Sequence, residues 1–300
     1  MTSRSLDNVR GPALWAPLLA GAHLAAVTAS GHVRPEHVAV DVLVFVLAVA
    51  GRRSRAFLAA AMPLWMTGVL YADLQPLLLP YRGEIHTGAL WALDAALFPA
   101  PGGKTWPGWF AENHHPFLDL VCGGAYLLYL FQFFGVVIYL FVRRPELGRA
   151  MAWSFLGVNL LGISIYLLFP AAPPWYVIAY GPGPANLAAL PSAAGAARFD
   201  ALLGIGYFAG FYARNANVFG AMPSLHVAYP TIAALFLWDR GAALRTLGIA
   251  FAALVAFSAI YLVHHYVLDV VAGCLVGATT FVLVRQMARG IARSPQQELT

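Results

Sequence analysis

Apolar runs separated by short polar turns dominate this chain, at about residues 12–30, 36–51, 56–80, 117–142, 150–170, 218–238, 244–263 and 266–284. A helix needs about 20 such residues to cross a hydrocarbon core of ~30 Å, so the pattern predicts eight membrane helices. The second run is short and contains Asp41. The first follows Arg4 and Arg10 and has the outline of a signal sequence, but a retained anchor is the preferred reading. Two stretches, 81–116 and 171–217, break the pattern with Pro, Gly and aromatic residues, among them Trp91, Trp106, Trp109, Trp175 and Tyr176. Indole and phenol rings favour the headgroup layer, which predicts loops lying on the membrane rather than projecting from it.

Composition narrows the class. Only 10% of the 300 residues are charged and 60% are hydrophobic, against roughly 25% charged in a soluble domain. An all-α polytopic membrane protein is expected. Residues 1–80 form N-terminal helices without a motif, 81–290 form a second transmembrane domain, and 291–300 form a cytoplasmic tail. Arginines at the ends of the runs set the orientation. Arg52, Arg53, Arg55, Arg143, Arg144, Arg149, Arg240, Arg245, Arg285, Arg289 and Arg293 fall on one side, and Arg34, Arg82, Lys104, Arg198 and Arg214 on the other. Both termini are therefore expected in the cytoplasm. The net charge of +5 follows from these helix-end arginines and is no sign of nucleic acid. Cys122 and Cys274 sit in apolar runs without ligand spacing, and no glycine-rich phosphate loop occurs, so no metal and no cofactor are expected. Asp41 and Asp73, inside apolar runs, are expected to pair within the bundle. Oligomeric state has no signature in the sequence.

Chemistry concentrates near the C-terminus, in Gly220-Ala221-Met222-Pro223-Ser224-Leu225-His226 and His264-His265-Tyr266-Val267-Leu268-Asp269. Each lies at the edge of an apolar run, where an unpaired polar group is expensive. His265 and Asp269 are four apart, which on a helix puts them on one face and lets the carboxylate orient the imidazole. His226 supplies a second ring. Two histidines, one backed by a carboxylate, suit phosphoryl transfer in which one ring attacks phosphorus and the other protonates the departing oxygen. Ser224 has the position of an N-cap. On a helix His264 would point about 100° from His265, as a flanking or interfacial residue. His115 and Asp119 repeat the His-to-Asp spacing, but Pro116 opens a helix there and leaves His115 in the cap region. A proton-coupled transporter with intramembrane His and Asp residues is a rival reading. It predicts polar residues near the bilayer midplane and internal repeats, whereas these groups gather at one surface and no convincing repeat is found.

With those residues in view, the chain resembles the type 2 phosphatidic acid phosphatase superfamily. Pro223-Ser224-Leu225-His226 is similar to its second signature, with Leu225 in place of a glycine. Ser258, His265 and Asp269 match the third, with Ala259 in place of an arginine. The first signature is replaced by Phe169-Pro170-Ala171-Ala172-Pro173-Pro174-Trp175-Tyr176. Together these departures, and more weakly Leu93-Asp94-Ala95-Ala96-Leu97-Phe98-Pro99, resemble the inositol phosphorylceramide synthase branch. The resemblance implies a six-helix phosphatase-like core preceded by extra N-terminal helices. It implies transfer of a phospho-headgroup, such as phosphoinositol, from a glycerophospholipid donor to a lipid hydroxyl acceptor, such as ceramide, through a phosphohistidine and without a metal. The arginine distribution puts the site at the outer face. His265 would be the nucleophile, Asp269 its partner, and His226 the general acid and base. Backbone N–H groups at Ser224, Leu225 and His226 would hold phosphate. Pro174, Trp175, Tyr176 and His264 would shape the substrate site, with the aromatic loop as its lid. Arg214 is the preferred substitute for the missing cations, ahead of Arg82, Lys104 and Arg198. A lipid phosphate or polyprenyl diphosphate phosphatase of the same superfamily is the alternative, since water and an alcohol can both attack a phosphohistidine.

Overall fold

The computed structural model describes residues 10–31, 33–74, 78–214 and 217–297. All eight expected helices occur: α1 (Arg10–Ala29), α2 (Pro35–Val49), α3 (Arg52–Val69), α6 (Pro116–Arg143), α7 (Pro145–Leu168), α11 (Leu225–Leu237), α12 (Ala242–Tyr261) and α13 (Val267–Gln297). Among the described residues five short helices fill the loops: α4 (Ala89–Leu97), α5 (Trp106–Glu112), α8 (Pro174–Tyr180), α9 (Ala196–Leu203) and α10 (Tyr207–Tyr212). Among the described residues there is no strand. Among the described residues four of the eight are long and apolar enough to cross a membrane, Pro116–Arg143, Pro145–Leu168, Ala242–Tyr261 and Val267–Ala288, while Trp15–Ala29 and Leu225–Leu237 are shorter apolar helices. The chain is a multi-pass membrane protein.

It divides into two compact units, Met1–Leu74 and Gln75–Thr300. In the first, α1, α2 and α3 close around Ala16, Ala20, Val44, Ala48, Leu58 and Met62. The alanines let the backbones approach closely, as helices in lipid require. A one-turn π-helix, Leu70–Leu74, follows α3. The buried polar residues of this unit pair with one another, as expected for Asp41 and Asp73. His23 Nδ1 meets Asp41 Oδ2 at 2.7 Å and its Nε2 meets Asp73 Oδ2 at 3.2 Å. His37 Nε2 lies 3.0 Å from Asp73 Oδ1.

The second unit is built around α11, which packs against α6, α7, α12 and α13. Val227, Ala228, Ile232 and Ala233 are fully enclosed, which explains why this helix is apolar on every side. Small residues on its neighbours admit it: Cβ atoms on Gly273 and Gly277 of α13 would run into the backbone of Ser224 and Ala228.

The sixth apolar run departs from its expected length. A helix over 218–238 was predicted, but α11 begins only at Leu225. The residues before it run extended beside the Phe169–Tyr176 segment: Ala171 N–H donates to Phe219 O at 2.9 Å and Ala221 N–H to Ala171 O at 3.2 Å. On its other edge His86 N–H donates to Pro170 O at 2.8 Å and Ala172 N–H to His86 O at 3.0 Å. Pro170, Pro173 and Pro223 cannot donate, and this exchange satisfies the backbone between them.

Candidate active site

The second signature enters at the start of α11. Ser224 occupies the N-cap, fully buried, and its N–H donates to Asp269 O at 3.0 Å, which ties α11 to α13. That donor is therefore spent within the protein. The N–H groups of Leu225 and His226, in the first helical turn, are the ones the helix end presents. Ser224 Oγ is buried without a hydrogen-bond partner. Leu225, the departure from glycine, lies directly against the place where a Cβ on Gly162 of α7 would stand. The small residue has moved to the facing helix and the volume is kept.

His264 and His265 lie in the turn between α12 and α13, not on a helix face as the four-residue spacing suggested. Their N–H groups both donate to Ala259 O, at 3.1 and 3.0 Å. Ala259, at the family's arginine position, is fully enclosed, so the fold leaves no room there for a guanidinium. Val263, just before the pair, has φ 64°. A β-branched residue in the left-handed region is strained, by about 1–3 kcal/mol, and such strain clusters where side chains must be aimed. Trp175 N–H, 3.2 Å from Val263 O, helps hold the turn.

Asp269 Oδ2 accepts the Tyr266 N–H at 2.9 Å. This is the return half of a capping box, three residues into α13. The same oxygen lies 3.4 Å from His265 Nδ1. A nearer partner for Nδ1 is the Ala221 carbonyl, at 2.9 Å. The main-chain carbonyl therefore fixes Nδ1 as the donor, and the buried Asp269 carboxyl group lies behind it. Side-chain motifs could not disclose this acceptor, because its position depends on the backbone pairing of Ala221 with Ala171. Nδ1–H donation leaves His265 Nε2 with its lone pair, and Nε2 faces His226 Nδ1 at 3.2 Å. On the other edge of His226, Nε2 is 3.5 Å from Tyr212 Oη.

Three tyrosines surround the rings. Tyr126 stacks on His226 at 4.5 Å between centroids, and Tyr129 lies 5.0 Å from it, tilted. His264 is sandwiched between Tyr126 at 5.4 Å and Tyr212 at 4.5 Å, both within 15° of parallel. Burial and the neighbouring His265 push the His264 imidazole down to about 3, so it is neutral. Tyr126 and Tyr129, three apart on α6, are a signal the sequence did contain: two phenols on one face of a lipid-spanning helix. Beside His226 opens an apolar cavity of about 200 Å³, walled by α6 and α10 through residues such as Leu130, Phe134, Tyr207 and Phe211.

The expected aromatic loop sits elsewhere. Tyr176 is buried with Ala172, Val177 and Phe219, and Trp175 packs on that cluster. Pro174 opens α8. Together they brace the Phe219–Ala221 segment and do not line the cavity. Arg214 is exposed beyond α10, and among the described residues its side chain makes no ion pair or hydrogen bond. Arg82 covers the Phe219 ring at 5.3 Å. Arg198 Nε donates to Asp119 Oδ1 at 2.6 Å, with Tyr261 Oη bonded to the same oxygen at 3.0 Å. His115 caps α6 through Nδ1, which accepts the Phe117 N–H at 3.2 Å. The His115–Asp119 repeat is thus a structural cap and an ion pair. Asp94, on α4, accepts the Leu268 N–H at 3.0 Å and caps α13 from outside. Among the described residues no group of three or more potential ligands could hold a metal ion.

A bundle of lipid-crossing helices with an imidazole pair and a carboxylate at one end defines a class of membrane phosphotransferases and phosphatases. Residues 89–283 match the model of the PAP2 superfamily. The chain belongs to the PAP2 superfamily. It is 35% identical over 249 residues to the phosphoinositol dihydroceramide synthase of Bacteroides thetaiotaomicron, covering 80% of each protein. It is 29% identical over 228 residues to the inositol phosphorylceramide synthase of Candida albicans, covering 75% of this chain and 47% of the relative. With the catalytic subunit of the Saccharomyces cerevisiae inositol phosphorylceramide synthase, identity is 38% over 173 residues, 57% of this chain and 43% of the relative. The chain thus spans less than half the length of these two fungal relatives. No solved structure matches it.

Proposed function

We propose that this chain moves a phosphoinositol headgroup from a glycerophospholipid to the hydroxyl of a ceramide-class lipid, through a phosphohistidine on His265. The observation that carries the reading is the pairing of His265 Nε2 with His226 Nδ1 at 3.2 Å, beside an apolar cavity. The names of the relatives supply the headgroup and the acceptor class.

His265 Nε2 attacks phosphorus, the P–O bond to diacylglycerol breaks, and His226 gives its proton to the departing oxygen. The acceptor hydroxyl then gives its proton to His226, its oxygen attacks phosphorus, and the P–N bond breaks. Both rings end as they began. A phosphorus centre needs the space between the rings, so substrate entry replaces the direct contact. The N-terminus of α11, with the Leu225 and His226 N–H groups, faces the phosphate oxygens. Arg214 is the proposed added cation, reaching in from the exposed segment beyond α10. The cavity takes an alkyl chain and keeps water from the phosphohistidine. The arginine distribution supports termini in the cytoplasm and a site on the opposite face.

The test is incubation of purified protein with phosphorus-labelled phosphatidylinositol, with and without ceramide. Label in a new ceramide-dependent lipid is expected. Label released only as water-soluble phosphate, or release of phosphate from phosphatidate, replaces this reading with hydrolysis.

A further inference from the structure

The proposed chemistry uses His226 and His265 and leaves His264 without a task, although its ring is 5% exposed. Its Nε2 is buried without a hydrogen-bond partner. A ring nitrogen donates through an N–H or accepts through its lone pair, so Nε2 can meet a polar group of either kind. The ring cannot swing to find a partner elsewhere, because Tyr126 and Tyr212 both stack on it. A buried polar nitrogen left unmatched is costly, and native interiors match nearly all such groups. The ring lies 6.5 Å from His226 and nearly parallel to it, at 25°. Tyr126 and Tyr212, its two clamping rings, also wall the apolar cavity.

We infer that His264 Nε2 hydrogen-bonds a second polar group on the acceptor lipid, a hydroxyl or amide a few bonds from the reacting hydroxyl. His264 is thereby a specificity-determining residue. The inference rests on the transferase reading above. Neighbouring heteroatoms on one short carbon backbone reach two rings at this spacing, the reacting oxygen at His226 and the second polar group at His264. No proton is transferred at His264. A single-hydroxyl alcohol fills the cavity but leaves Nε2 unmatched, so it reacts more slowly.

The experiment compares wild type, His264→Phe and His264→Gln with labelled phosphatidylinositol as donor. The acceptors are N-acyl dihydrosphingosine and a long-chain 1-alkanol. Phenylalanine keeps the stack and removes the polar nitrogen, and glutamine restores an amide that can donate or accept. His264→Phe should still form phosphohistidine, which also reports a folded site. Its transfer to N-acyl dihydrosphingosine should fall ~10–100-fold, as an unmatched buried hydrogen bond implies, with transfer to the alkanol unchanged. His264→Gln should recover part of the loss. Equal loss with both acceptors, or no loss with either, overturns the inference, as does absence of phosphohistidine in both variants. A wild type that forms phosphohistidine and labels neither alcohol overturns the transferase reading itself.

Discussion

Two buried clusters in this protein are made of the same residue types and have opposite character. In the N-terminal unit, each nitrogen of His23 faces a carboxylate, Asp41 on one side and Asp73 on the other. His37 is matched as fully, with Nδ1 accepting the Arg34 N–H at 3.3 Å and Nε2 on Asp73. Near the C-terminus the histidines instead turn nitrogens toward one another and toward a cavity, and the carboxylate of Asp269 lies behind them. Where every imidazole nitrogen finds a partner, the cost of these rings in an apolar bundle falls. A lone pair kept on Nε2 of His265 is what the proposed nucleophile needs. Residue type alone does not separate the two arrangements. What separates them is whether imidazole hydrogen-bonding capacity is left over, and where it points.

Breaking one member of each cluster gives the largest contrast. His265→Ala removes the proposed nucleophile, so transfer and phosphohistidine labelling should both drop to background. His23→Ala strips the shared partner from two buried carboxyl groups and should cost about 1–3 kcal/mol of stability for a buried polar group left unmatched. Thermal unfolding in detergent should show that loss. Labelling per folded molecule should be retained in His23→Ala, and wild-type labelling in His265→Ala would sink the covalent mechanism.

Asp269→Asn sharpens the comparison within the C-terminal cluster. In a serine-protease triad the corresponding change costs ~10⁴-fold, because the ring takes the wrong tautomer. Here Ala221 O, at 2.9 Å, holds Nδ1–H without help from the carboxylate. The variant should keep the tautomer and lose the charge that favours an imidazolium, for a drop in kcat of ~10²–10³-fold. A loss as complete as that of His265→Ala would mean the carbonyl does not orient the ring.

The helices were legible because a lipid-crossing segment must be apolar for most of its length, and the arginines mark its ends. Their boundaries failed where the backbone found partners outside a helix. The residues before Leu225 are apolar enough for helix but bond to Ala171 instead. That His226, His265 and Asp269 come together was legible from residue type and spacing, although the spacing works through a capped turn rather than a helical face. The Ala221 carbonyl, the Asp94 cap and the tyrosine clamp were not, since each depends on contacts between segments far apart in sequence. The Trp175–Tyr176 segment was expected as a lid over the acceptor, yet the cavity is walled by α6 and α10. A proline-rich aromatic motif states that something is braced, not which surface it faces.

The smallest expected effect concerns Asp94, whose carboxylate supports the start of α13 without touching an imidazole. It is fully buried, and Oδ2 has no hydrogen-bond partner. Burial, with Asp269 nearby, raises its carboxyl to about 6 in spite of the Leu268 N–H. The unfolded chain releases this proton near pH 4. Between those values the folded protein holds more proton than the unfolded one, so this group's contribution to stability falls as pH rises toward and through about 6. Asparagine at this position keeps an oxygen for the Leu268 N–H and has no proton to lose. Asp94→Asn should therefore gain thermal stability relative to wild type as the buffer moves from about pH 5 to about pH 7. Asp94→Ala removes the acceptor and should cost about 1 kcal/mol, as loss of a helix cap does. A wild-type-minus-asparagine difference that stays flat across that range would show that Asp94 remains ionised where it caps the helix.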